Sequence, residues 1–193
     1  VPKMPVDFTV TETTTKTLCI DGFAGEYPCY GYDLMARIPL YVFKSEEAND
    51  SWGWTDSDTA KEYAIIGLND GTGFVDISDP VNPVYLGKLP TATESSSWRD
   101  IKVYKNYAYI VSEAKDHGVQ VFDLTKLRGL ESEQNFTSDG VVNIVKSAHN
   151  IFINEESGFG YVVGTNRENK YDGGVYFLDL ADPLNPKIVG GYG

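Results

Sequence analysis

The sequence is short of the residues from which most hydrolytic and redox centres are built. Its 193 residues include two cysteines and two histidines. With only His117 and His149, a His-rich metal centre is excluded, although carboxylates remain as ligands for a hard cation. There is no G-x-S-x-G elbow, no H-E-x-x-H, no P-loop and no G-x-G-x-x-G turn. No stretch approaches the ~20 apolar residues of a membrane span, so no transmembrane segment is expected. No basic-then-apolar leader opens the chain at Val1, and an exported form is expected to have lost it already. Basic residues are scarce too. Sixteen Lys and Arg against 28 Asp and Glu give a net charge of -12, which argues against nucleic acid or an anionic membrane as partner. The same charge suits cations, or the repulsion that keeps a secreted protein soluble.

What remains is apolar surface and turn chemistry. A hydrophobic fraction of 41% with 13% aromatics is enough for one domain with a sizeable core. The organising stretch is Gly71 to Gly87, GTGFVDISDPVNPVYLG, which returns 103 positions later as GVYFLDLADPLNPKIVG, Gly174 to Gly190, with eight of seventeen positions identical. The shared residues are punctuation: Asp76 and Asp179, Asp79-Pro80 and Asp182-Pro183, Asn82-Pro83 and Asn185-Pro186. A looser copy, Gly118 to Leu127, carries Asp123 at the matching place. A strand-built repeat of roughly 40 to 50 residues has the period of propeller blades.

Taken in order, residues 1 to 17 read as an extended lead-in. Cys19 and Cys29 follow in a Gly- and aromatic-rich loop that suits a disulfide better than a metal. Ile38 to Lys44 reads as a strand, and Ser45 to Glu62 as polar and turn-rich. Strands then recur: 63–67, 71–77 and 84–89; 100–104, 107–111 and 119–124; 151–154, 160–164, 175–180 and 187–192. Along the third strands both alternating sets, Phe74, Val121 and Phe177 against Val75, Phe122 and Leu178, are apolar, so both sheet faces need covers. Blades packed around an axis provide them. The repeated Asp reads as a turn-former accepting backbone N–H bonds at the strand's end.

The expected fold is therefore all-β, a β-propeller of four-stranded antiparallel blades, incomplete in this chain. About three blades plus Ile38 to Lys44 as an N-terminal closing strand are expected, with residues 1–37 as an extension and 38–193 as the blades. Three blades cannot close a ring. Either the chain is part of a longer polypeptide or a second copy completes it.

The combination Cys19-x9-Cys29, Ile38-Pro39-Leu40, Trp52-Gly53-Trp54-Thr55, Glu62-Tyr63-Ala64, Gly71 to Asp76, Trp98 to Tyr104 (WRDIKVY), His117 to Leu124 and Ala148-His149-Asn150-Ile151 resembles the choice-of-anchor B family. The resemblance runs from about Cys19 to Gly193. It implies LVIVD-type propeller repeats, a secreted or surface-anchored setting and more blades than this chain holds; it implies no catalytic activity.

Candidate sites come from aligned strand starts. Trp98-Arg99-Asp100 and Ala148-His149-Asn150 precede the innermost strands of successive units, so Arg99, Asp100, His149 and Asn150 form a candidate ligand, glycan or metal site at the channel mouth. The alternative is that Asp100 and Asn150 bond backbone N–H groups while Arg99 and His149 pack on neighbours. Asp56 to Glu62 begins like a calcium loop but lacks its Gly and its distal Glu, so an exposed hairpin turn is the better reading. No cofactor is expected, though the acidic charge leaves calcium open. Trp52, Trp54 and Trp98 read as plugs between blades, with sugar stacking as the alternative. The sequons at Asn49 and Asn135 and the paired cysteines point to an extracellular or cell-surface glycoprotein. Its expected role is non-catalytic binding or structural assembly, with protein partners, glycans or further copies of itself completing the propeller. The rival is a secreted hydrolase or lyase acting at the channel mouth.

Overall fold

The computed structural model describes residues 16–193. The extended lead-in expected over 1–17 lies almost wholly outside them. The described residues form strands, turns and three short 3-10 turns, with no α-helix. The Cys19–Cys29 disulfide encloses a small hairpin of β1 (Phe23–Ala24) and β2 (Tyr27–Pro28).

Two segments depart from the sequence expectation. Ile38 to Lys44 is not a strand: Leu40–Phe43 is a 3-10 turn, stopped by Lys44 in the left-handed region at φ 51°. Pro39 has no N–H for a ladder. The apolar side chains of the segment serve as a cover instead, with Phe43 edge-on to Tyr85 (centroids 5.0 Å) and Ile38 packed in the same cluster with Val75, Ala64 and Ile66. The segment caps a sheet face and closes no blade. Conversely, the polar stretch after Lys44 contains a long strand, β3 (Ala48–Thr55). It is the inner edge of its sheet, so backbone pairing holds it while most of its side chains stay at the surface; Trp54 is buried, stacked on Tyr63 at 5.0 Å.

The first sheet continues with β4 (Glu62–Leu68), β5 (Gly71–Asp76) and β6 (Val84–Pro90). The second begins with β7 (Arg99–Tyr104), β8 (Tyr107–Ser112) and β9 (Val119–Asp123). The chain then returns to the first sheet as β10 (Gln134–Asn135), parallel to β6, before β11 (Gly140–Val142) completes the second. β12 (Asn150–Asn154), β13 (Phe159–Val163), β14 (Val175–Asp179) and β15 (Lys187–Tyr192) form the third. Apart from the small β1–β2 hairpin, each of the three sheets thus holds four antiparallel strands in a propeller-like arrangement of blades, with β10 added to the edge of the first. The repeated Asp behaves as expected: Asp76, Asp123 and Asp179 each accept the N–H two residues on, from Ser78, Thr125 and Ala181.

Strand pairing places equivalent residues in rows. The row on the face turned towards the next sheet reads Trp52, Ile65, Phe74, Gly87 in the first sheet. It reads Lys102, Tyr109, Val121, Gly140 in the second and Phe152, Tyr161, Phe177, Gly190 in the third. Phe74 stacks on Phe122 of the second sheet (4.7 Å), and Phe136 closes on both. Val121 packs with Leu178 of the third. A fully buried side chain of this size contributes about 1.5–3 kcal/mol. These two junctions, of thirteen and twelve buried apolar residues, form most of the core.

The glycine that ends each row has a reason. At Gly87, with φ +128°, a Cβ would run into the backbone of Gln134, contributed by the next unit. At Gly140 it would lie 2.8 Å from the Leu184 carbonyl oxygen, again from the next unit. A side chain at either position would force the following unit away.

Candidate functional site

Because side chains alternate across a strand, Arg99 and Asp100 point to opposite neighbours. The Arg99 side chain is buried against the first sheet, where Nε donates to the Leu68 carbonyl (3.0 Å) and Nη2 to Thr91 Oγ1 (3.0 Å). Nη1 lies 2.9 Å from His117 Nε2. A guanidinium can only donate, so His117 Nε2 accepts and Nδ1–H donates to the Gly118 carbonyl at 3.0 Å. His117 is fully buried, and burial, helped by the adjacent guanidinium, pulls its pKa down to about 4. Burial likewise lowers Arg99 to about 10, which still leaves it cationic.

Asp100 faces the third sheet. Its Oδ2 accepts the Ile151 N–H (2.7 Å), while Oδ1 takes the Ile101 N–H and the Lys102 ammonium. One sheet earlier Asp50 does the same, accepting the Ile101 N–H at 2.9 Å. The inner strands are thus latched in series, Asp50 to Ile101 and Asp100 to Ile151, with Asn150 the third member at the same 50-residue spacing. Among the described residues the Asn150 carboxamide makes no hydrogen bond. Burial and the neighbouring Asp100 raise the Asp50 pKa. Burial also pushes Asp100 up, but Lys102 and the Ile151 N–H outweigh it and hold the carboxylate low.

A cleft of about 190 Å³ opens here, lined by Asn49, Asp50, Trp98, Arg99, Asp100, His149 and Asn150. The four expected residues therefore do converge, but with different duties. The Arg99 guanidinium leaves the cleft for the junction, and Asp100 is consumed by the latch. His149 is half-exposed, bonded through Nδ1 to Glu113, with its ring 6.1 Å from Trp98. Trp52 lies beneath the Lys102 ammonium at 4.5 Å and, like Trp98, is partly exposed. Asp56 is turned inward, not exposed, and is clamped by Arg128 through two 2.7 Å bonds; that pairing holds its pKa at about 2. Among the described residues no three His, Cys, Asp or Glu side chains are grouped to hold a metal ion. No helix of the described residues is long and apolar enough to cross a membrane.

Sequence reasoning did not find Asp50, Asn49 and His117 as partners in this region. The usable signal was the 50-residue spacing: Asn49, Arg99 and His149, and Asp50, Asp100 and Asn150, are matched positions. His117 has no counterpart at that spacing and is brought to Arg99 only by folding.

The strands around this cleft also carry the similarity to known proteins. Residues 61–91 and 97–117 match the LVIVD repeat. The first LVIVD match spans β4 to β6. The second runs from Ser97 through β7 and β8 to His117, and so includes both Arg99 and the histidine it touches. The LVIVD repeats thus hold the Arg99–His117 junction, while Asn150 and the third sheet lie beyond them. No curated protein matches the chain.

Proposed function

We propose that this chain is an extracellular, non-catalytic propeller module of the choice-of-anchor B kind, which binds and assembles through the outer face of its third sheet. One observation carries the reading. In the first two sheets the central row members Ile65, Phe74, Tyr109 and Val121 are 0% exposed, each covered by the next sheet. In the third, Phe152 is 62% exposed and heads an aromatic ladder, Phe152–Tyr161 at 6.3 Å and Tyr161–Phe177 at 5.7 Å, that nothing covers among the described residues. Val163 and Tyr192 add to the same open face. An exposed apolar patch of this kind marks an interaction surface.

Residues kept for binding contribute little to folding. Phe152→Ser combined with Tyr192→Ser is expected to leave the melting temperature of the dilute chain within about 2 °C of the parent, because exposed substitutions stay within roughly 0.5 kcal/mol. The same variant is expected to lose most of the parent's binding of an apolar fluorescent dye. A large drop in melting temperature would make the row part of the fold and end the proposal.

The Cys19–Cys29 disulfide is compatible with an oxidising compartment. The two sequons differ in access. Asn135 is exposed on the edge strand β10, whereas Asn49 is half-buried and its Oδ1 accepts the Arg99 N–H (3.3 Å). Expressed in a secreting eukaryotic cell, the chain is expected to carry a glycan at Asn135 alone. Asn135→Gln then abolishes the glycan mass and Asn49→Gln leaves it; the reverse pattern would contradict the proposal.

A further inference from the structure

Trp98 reads from the sequence as a plug between blades, but it is not one. It lines the cleft of about 190 Å³ and is 55% exposed, whereas Trp54 of the first sheet is buried at 5%. The backbone that carries this exposed ring is tied at three points. The Trp98 carbonyl accepts the Ser112 hydroxyl (3.0 Å) and the Glu113 N–H (3.2 Å), and its own N–H donates to Ser96 Oγ (3.3 Å). Glu113 reaches across to the third sheet, where its carboxylate bonds His149 Nδ1. The imidazole comes back towards Trp98, with ring centroids 6.1 Å apart and planes at 45°. Trp98, Glu113 and His149 thus close a triangle that spans the second and third sheets. An aromatic ring mounted this firmly loses little freedom when a ligand lands on it.

The polar groups of the cleft exceed what the fold uses. Of the matched pairs Asn49-Asp50, Arg99-Asp100 and His149-Asn150, only the middle pair is spent wholly on the junctions. With Nδ1–H given to the Glu113 carboxylate, His149 Nε2 is left as an acceptor. Asn49 gives Oδ1 to the Arg99 N–H and keeps its Nδ2 amide as a donor. Asn150 keeps its whole carboxamide, both donor and acceptor. Asp50 adds a carboxyl, one oxygen of which takes the Ile101 N–H.

We infer that this cleft binds the ring of a neutral saccharide, with Trp98 as the stacking platform. A sugar ring presents C–H groups on one face and hydroxyls around its rim, the counterpart of an aromatic face edged by hydrogen-bonding groups. Each hydroxyl donates and accepts, and the cleft offers both roles: amide donors at Asn49 and Asn150, acceptors at His149 Nε2, Asp50 and Asn150. An ammonium ligand would use the ring and the acceptors but leave both amides idle. An anionic sugar is repelled by Asp50, by Glu113 and by the net charge of -12. The cleft is smaller than the roughly 300–1,000 Å³ that encloses a drug-sized ligand, so one ring enters and the remainder of a glycan stays outside. Stacking here does not depend on the open face of the third sheet.

Saturation-transfer NMR on the whole chain tests the site, with the methyl glycosides of glucose, galactose, mannose and N-acetylglucosamine as probes and sialic acid and tetramethylammonium as controls. At least one neutral glycoside is expected to receive saturation, strongest on its ring C–H protons, and neither control to receive any. For that glycoside Trp98→Ala is expected to weaken affinity at least tenfold, and Asn150→Ala about tenfold, the equivalent of one hydrogen bond. Both side chains are exposed, so the melting temperature is expected to stay within about 2 °C of the parent; should Trp98→Ala misfold, Asn150→Ala decides. Glu113 is a positioning residue: Glu113→Ala is expected to lose part of the affinity, and Glu113→Gln, which still accepts from Nδ1, to restore it. Phe152→Ser with Tyr192→Ser is expected to leave glycoside binding intact, which separates this site from the third-sheet face. A parent that saturates none of the four glycosides overturns the inference. So does a glycoside bound equally well by Trp98→Ala and Asn150→Ala, or tetramethylammonium binding that Trp98→Ala abolishes.

Discussion

Replacing Arg99 by alanine is expected to destabilise the folded chain by about 3–5 kcal/mol, the range for truncating a large buried side chain and leaving its partners unsatisfied. The Leu68 carbonyl, Thr91 Oγ1 and His117 Nε2 each lose a donor in the junction of the first two sheets. Arg99→Lys is not expected to restore the loss, because a single ammonium cannot reach three acceptors held by a planar fork. Urea unfolding measures the difference. Asn150→Ala, at the exposed end of the latch series, is the control and is expected to fall within about 0.5 kcal/mol of the parent. An Arg99→Ala chain as stable as the parent would return the guanidinium to the cleft and revive a ligand-binding role for it.

Acid is expected to weaken the fold well before the carboxylates titrate. His117 has its folded pKa depressed to about 4, against about 6.5 for an unperturbed imidazole. Between those values the unfolded chain binds a proton that the folded chain refuses, so stability is full above about pH 6.5 and falls as pH drops towards 4. The loss amounts to about 3 kcal/mol, since each pKa unit is worth about 1.4 kcal/mol. Asp50 works in the opposite sense, because its raised pKa favours the folded chain as protons bind. Asp56, Asp76 and Asp100 have lowered pKa values, so their contributions persist through this window and are lost only at lower pH. Urea midpoints at pH 7 and pH 4.5 measure the effect. His117→Gln keeps an acceptor for Arg99 and is expected to flatten the dependence. An equally steep profile in that variant would assign the acid sensitivity to other groups.

The outcome at the two polar clusters shows where sequence reasoning ran out. That Arg99, Asp100, His149 and Asn150 meet was legible, because repeats align equivalent strand starts and equivalent strand starts converge. What each does was not. Arg99 and Asp100 are neighbours in sequence, but strand alternation sends one into the first junction and the other into the second, and the identity of the neighbouring sheet is absent from any local pattern. His117 sits in a loop with no periodicity to mark it as buried. The stretch after Lys44 failed for a related reason: an inner edge strand exposes most of its side chains, so its sequence is polar and reads as turn. Ile38 to Phe43 failed in the other direction, because an apolar run that covers a sheet face has the composition of a strand.

By itself the sequence determined the repeat, the all-β class, the turns built on Asp76, Asp123 and Asp179, and the two-sided apolar third strands that demand stacked sheets. These follow from short-range rules: which residues take a turn, and which face of a strand is apolar. Tertiary structure alone decided which apolar faces are covered. The Phe74 row is sealed by the second sheet, Val75 by Phe43 and its neighbours, while the equivalent Phe152–Tyr161–Phe177 row stands open. Phe74, Val75 and Phe177 are all apolar residues of third strands, and burial is a property of what packs against a residue, which the residue's own neighbours in the chain do not encode.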